Sequence, residues 1–87
     1  MRFERIQVRT RDDYRGAQEP VAFVWRGETH AVDRVEDRWY EGSLNARRVP
    51  LRYFRVRTVA GRRFIVRYHE LFDAWSVLVP PQEPSEG

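Results

Sequence analysis

Phe54, Val56 and Thr58 alternate with Tyr53, Arg55 and Arg57, and Phe64, Val66 and Tyr68 alternate with Arg63, Ile65 and Arg67. Apolar and polar positions thus repeat every second residue on both sides of Gly61, as in strands with one buried face. A two-residue connection at Ala60-Gly61 would set Arg57 against Phe64 and scramble the faces. A three-residue connection, Val59-Ala60-Gly61, pairs Val56 with Phe64 and Phe54 with Val66 and keeps the apolar set together. It matches a type I turn followed by a residue with positive φ, which glycine adopts without steric cost. The outer face of this hairpin then sets Arg57 across from Arg63, Arg55 across from Ile65 and Tyr53 across from Arg67. Like charges directly opposite destabilise a sheet, so either neighbouring carboxylates or an external anion must answer the Arg57–Arg63 pair.

The rest of the chain carries the same period. "RFERIQVRT" predicts a first strand and "RDDYRGAQEP" a polar loop. "VAFVWRGETHAVDRV" predicts a second hairpin, turning at Gly27-Glu28, with Phe23 and Trp25 on the face of His30 and Val32. Beyond Val32 the phase slips, because Val35 and Trp39 follow at spacings of three and four. A strand bulged near Asp33-Arg34 fits between two hairpins, and a short helix over 33–40 also suits the spacing. "YEGSLNARRVP" is the longest internal connection. "AWSVLVP" is a last strand with Trp75, Val77 and Val79 on one face, stopped by Pro80 and Pro81. Residues 81–87, within "PPQEPSEG", have the composition of a flexible tail.

The expected fold is all-β. About six antiparallel strands form a meander over residues 1–80, curling into a small, partly open barrel or roll. With no helices to cover it, such a sheet must curl to hide its apolar face. The 87 residues suffice for one small domain. Trp25, Phe54, Phe64 and Trp75 are expected to share its core.

Composition excludes several chemistries. There is no cysteine, hence no disulfide, thiolate metal site or cysteine nucleophile. His30 and His69, the only histidines, are too far apart in sequence to suggest a local metal site. Ser43 and Ser76 lack a nucleophile-elbow context, and no glycine cluster forms a phosphate loop. Asp33, Glu36 and Asp37 lie close together, but Arg34 and Arg38 interleave them, which reads as a salt-laced strand. No enzyme activity, cofactor or metal is expected. No apolar run approaches a membrane span and no signal peptide is visible, so the chain is expected to be soluble and cytoplasmic.

The net charge is +3, and all sixteen basic residues are arginine. Arginine's planar, permanently charged fork suits phosphate and carboxylate, and an arginine-rich proteome would produce the same bias. Tyr53, Arg55, Arg57, Arg63 and Arg67 would form a flat basic face with one aromatic ring, with Arg47, Arg48 and Arg52 just upstream as candidates to extend it. Single-strand binders combine a basic track with stacking aromatics. The same residue types are enriched at protein interfaces, and a sheet edge can accept a partner strand.

"VDRVEDRWYEG", "LRYFRVRTVAGRRFIV" and "DAWSV" together resemble a small bacterial domain of unknown function. That domain also occurs at the C-terminal end of inactive Y-family DNA polymerase homologues of mutagenesis complexes. The likeness runs from about Phe23 to Val79, through Val32, Val35 and Trp39, then Tyr53, Phe54, Arg55 and Val56, then Gly61, Trp75 and Val77. Phe54 stands where the family pattern has a second tyrosine, and the prolines after Trp75 depart from its basic-aromatic ending. The resemblance implies no catalytic residues and a DNA-repair or translesion setting. The functional expectation is a non-enzymatic module that binds single-stranded nucleic acid weakly. The alternative is a protein-interaction module, with a repair protein as partner.

Overall fold

The computed structural model describes residues 2–12, 18–42 and 50–80. Six strands, β1 (Phe3–Asp12), β2 (Gln18–Trp25), β3 (Glu28–Glu41), β4 (Leu51–Thr58), β5 (Arg63–His69) and β6 (Ala74–Leu78), close into an antiparallel barrel in chain order. β6 returns to β1 through Phe3–Leu78 and Ile6–Trp75, so the sheet has no terminal strand. The expected roll is therefore closed. The expected C-terminal tail lies outside the described residues.

Its interior is the alternate set read from the sequence. Ile6, Phe23, Phe54, Val56, Phe64, Val66, Trp75 and Val77 form one buried cluster, with Val8, Trp25, Val32, Val35 and Tyr68 packed against it. Val56, Val66 and Val77 are fully buried. Each contributes about 1.5–3 kcal/mol relative to leaving it in water. Trp25 sits at the margin of this core rather than within it, its ring edge-on to Phe64 at 5.8 Å.

The β4–β5 hairpin has the expected register, with Val56 opposite Phe64 and Arg57 opposite Arg63. Gly61 takes φ 85°. The loop closes through Thr58 N–H to the Arg62 carbonyl at 2.8 Å and Gly61 N–H to the Thr58 carbonyl at 2.9 Å. Thr58 is buried, and its hydroxyl accepts the Arg62 N–H at 3.1 Å.

The β2–β3 turn differs from expectation. Trp25 pairs with Glu28, so the turn residues are Arg26 and Gly27, not Gly27 and Glu28. Both have positive φ, 51° and 79°, as a type I′ turn requires. Arg26 is held there by Glu4, which accepts from its Nε and Nη2 at 3.0 Å each. The register moves by two residues, an even number, so Phe23 and His30 still face inward.

The polar loop expected over 11–20 is also shorter. Arg11, Asp12, Gln18, Glu19 and Pro20 all lie in β1 or β2. A bulge between Arg9 and Thr10 accommodates Pro20 opposite Thr10.

β3 is a strand throughout, not a short helix, and it carries two bulges. The register against β4 slips once between Val32 and Arg34, and again between Val35 and Asp37. The first bulge was expected and returns Val35 to the inside. The second was not, and it turns Trp39 outward, opposite Tyr53. An unbulged strand from Val35 would have aimed Trp39 into the barrel.

Candidate functional site

The five residues of the expected basic face do lie side by side on β4 and β5, but the structure gives most of them partners. The two bulged residues of β3 are carboxylates. Asp33 accepts from Arg57 Nη2 at 2.7 Å, and Glu36 accepts from Arg63 Nε at 2.9 Å. Asp37, directly across from Arg55, stands 3.7 Å from its Nη2. The Arg57–Arg63 conflict is thus answered from within the chain. An extra residue in a strand re-aims side chains, and here both extra side chains meet the crowded arginines, which include Arg34 opposite Arg57. The hydrogen bond from Arg57, and secondarily its charge, holds the Asp33 carboxyl below its ordinary range; Arg63 does the same for Glu36. Asp33 in turn raises Arg57.

Tyr53 is 9% exposed, so it does not present an open ring as a stacking platform would. Trp39 lies flat on it, with ring centroids 5.2 Å apart and planes within 1°, and the Tyr53 hydroxyl donates to Glu41 at 3.1 Å. Beyond it, Arg67 places its guanidinium 3.8 Å over the Phe3 ring. Sequence reasoning missed Trp39 because its outward aim depends on the second bulge. The only signal was the uneven three-and-four spacing.

One end of the barrel gathers four of the six exposed large hydrophobic side chains among the described residues. Antiparallel pairing brings Glu41, Leu51, His69 and Ala74 to that end. Trp39 is 38% and Tyr40 57% exposed where β3 ends, and Leu71 and Phe72 are 68% and 69% exposed on the turn between β5 and β6. Arg52 lies between them, opposite Tyr40 on one side and Tyr68 on the other, and its guanidinium bonds Glu70. Within this rim, Arg38, Trp39, Tyr40, Arg52, Tyr53 and Phe54 border a cleft of about 390 Å³. The cleft follows a seam. The β2–β3 ladder spans only Ala22–Trp25 against Glu28–Ala31. Beyond it, Arg38 reaches Glu19 across the gap at 2.5 Å.

The opposite end is closed by a buttress. Glu4 accepts from Trp25 Nε1 at 2.7 Å as well as from Arg26, and from Arg2 at 3.1 Å. The Arg26 hydrogen bond first, and the Trp25 hydrogen bond next, hold its carboxyl at about 2, against an ordinary 4.5. A depressed carboxylate stabilises the fold fully above its unfolded value, and that contribution is lost as pH falls through the folded one. The Trp25 indole N–H resonance is therefore expected to hold its position down to about pH 3 and to shift as pH approaches about 2. In Glu4→Gln it should show no such step. A parent shift centred near 4.5 would show that Arg26 does not hold Glu4.

Among the described residues, no group of three or more His, Asp or Glu side chains is placed to hold a metal ion. His30 is buried against Phe23 and Phe64, and its Nε2 has no hydrogen-bond partner. No helix is long and apolar enough to cross a membrane.

The family model Domain of unknown function (DUF6504) matches residues 1–77. No curated protein and no solved structure matches the chain.

Proposed function

The chain belongs to the family of the Domain of unknown function (DUF6504), and from that premise we propose that it is a non-enzymatic protein-interaction module whose contact surface is the rim around Trp39 and Tyr40. One observation carries this reading. Of the six large hydrophobic side chains exposed among the described residues, Trp39, Tyr40, Leu71 and Phe72 share one end of the barrel. Single exposed apolar residues need no explanation, whereas a group of aromatics beside arginine is the composition of interface hot spots. On the lateral face, Arg55, Arg57 and Arg63 meanwhile each stand against one of the chain's own carboxylates. The likeness of the β3–β6 segments to the domain appended to inactive Y-family polymerase homologues supports a repair protein as the partner, in the cytoplasm.

Weak binding of single-stranded nucleic acid through Tyr53, Arg55, Arg57, Arg63 and Arg67 is the second reading. The Trp39–Tyr53 stack favours it, since a base could extend that stack from Trp39.

Salt separates the two, because phosphate contacts weaken steeply with ionic strength and apolar contacts do not. The test is recovery of partners from host extract at low and high salt, with and without nuclease. The parent chain is compared with Trp39→Ser/Tyr40→Ser. A protein retained at high salt and after nuclease, and lost with the double variant, is the expected result. Material released by nuclease or salt, with the variant behaving as the parent, would overturn it in favour of the nucleic-acid reading.

A further inference from the structure

The β5–β6 turn, Glu70–Asp73, is fastened more firmly than an exposed connection requires. Glu70 N–H donates to the Pro50 carbonyl at 3.3 Å, and Phe72 N–H donates to His69 Nδ1 at 3.2 Å. The Phe72 ring stacks on the His69 imidazole with centroids 4.5 Å apart. Asp73 adopts φ 49°, a left-handed conformation that a residue with a side chain takes up rarely. Its carboxylate accepts the Tyr68 hydroxyl at 2.6 Å. Tyr68 in turn packs on the core residue Trp75, with centroids 4.8 Å apart. A chain of contacts from the core thus fixes the turn. What it presents is Leu71 and Phe72, both about two-thirds exposed.

We infer that Leu71 and Phe72 are a preformed plug that seats in an apolar groove bordered by basic side chains on a partner protein. The inference rests on the protein-interaction reading above and names the anchor of that surface. A rigid tip loses little conformational entropy on docking, which is how preorganisation raises affinity.

Charge decides the kind of partner. Every arginine of the chain lies at or before Arg67, and Glu70 and Asp73 flank the plug. A side-chain pair that inserts into a lipid headgroup region is usually framed by Lys or Arg. This one is framed by carboxylates: Glu70 is paired with Arg52, whereas Asp73 meets the uncharged Tyr68 hydroxyl rather than a cation, and its carboxylate repels an anionic membrane and likewise a phosphate backbone. It suits a groove whose border carries Arg or Lys.

The plug is contiguous with the rest of the rim. Glu70 meets Arg52, and Arg52 lies opposite Tyr40. One partner can therefore cover Phe72 and Tyr40 together.

The test uses the full chain, produced in its native host with a photo-activated benzophenone side chain at Phe72, and in a second preparation at Tyr40. Irradiated adducts are mapped by mass spectrometry. The expected result is one protein adduct shared by both positions, cross-linked from Phe72 at an apolar groove with Arg or Lys on its border. Leu71→Ser in the Tyr40 preparation should lower the yield by roughly thirtyfold, as truncating a hot-spot side chain does. Circular dichroism establishes that each variant is folded. A protein adduct from Tyr40 but none from Phe72 would overturn the plug and leave the interaction reading standing. Lipid, nucleic acid or a second copy of the chain on Phe72 would also overturn it. The absence of protein adducts from both positions would remove the interaction reading with it.

Discussion

Trp75→Ala is expected to lower the melting temperature by at least about 12 °C and to leave part of the chain unfolded at 37 °C. Trp75 is 8% exposed and packs between Phe54, at 5.6 Å between ring centroids, and Tyr68, at 4.8 Å. Truncating a buried aromatic to alanine costs about 3–5 kcal/mol through lost transfer energy and the cavity left behind. A small domain holds about 5–15 kcal/mol in all, and in one of this size each kcal/mol moves the midpoint by about 4–8 °C. The barrel amplifies the loss. Trp75 lies on β6, where Ile6 pairs with it from β1 and Tyr68 from β5. Loosening β6 therefore opens the closure of the sheet. Thermal denaturation followed by circular dichroism measures the shift. A variant melting within a degree or two of the parent would remove Trp75 from the core.

Asp33→Asn/Glu36→Gln is expected to convert the lateral face into an anion-binding surface. In the parent, these carboxylates hold Arg57 and Arg63 at 2.7 and 2.9 Å. The double change keeps side-chain size and removes both charges, so Arg34, Arg57 and Arg63 face one another with less compensation. Two effects follow. The melting temperature should fall at low salt and recover as salt screens the arginines. Affinity for a labelled single-stranded oligonucleotide should rise, with a log–log salt slope steeper than the parent's by about 1.4, at about 0.7 for each freed cation. Fluorescence anisotropy at several salt concentrations measures it. Equal slopes for parent and variant would show that the two carboxylates do not mask the face. The nucleic-acid reading would then stand or fall on the parent's own affinity.

The β4–β5 hairpin was fully legible. Period-two alternation left one register that kept Phe54, Val56, Phe64 and Val66 together, and Gly61 stood where that register needed positive φ. The β2–β3 turn was legible in its faces but not in its position. Sequence favours glycine at a positive φ, but the second such residue, Arg26, is stabilised by Glu4, 22 residues away in sequence. No local signal carries that. The exposed turn at Leu71-Phe72 gave no signal at all. An apolar dipeptide between two strands reads equally as core, and only the direction of the turn shows that nothing in the described structure covers it.

The alternation of apolar residues determined the all-β class of this protein by itself, because a sheet hydrophobic on one face and unaccompanied by helices must curl or pack against another sheet to hide that face. It also determined which side chains fill the barrel, since parity is conserved along any regular strand. Tertiary structure decided the surface. Whether Arg57 and Arg63 were bare depended on two carboxylates from a strand adjacent in space. Their aim, and that of Trp39, depended on where β3 gained its extra residues. A bulge leaves one residue unpaired and reverses every side chain beyond it; the uneven spacing of β3 pointed to the first, at Asp33, while the second, at Glu36, shows only in the ladder with β4.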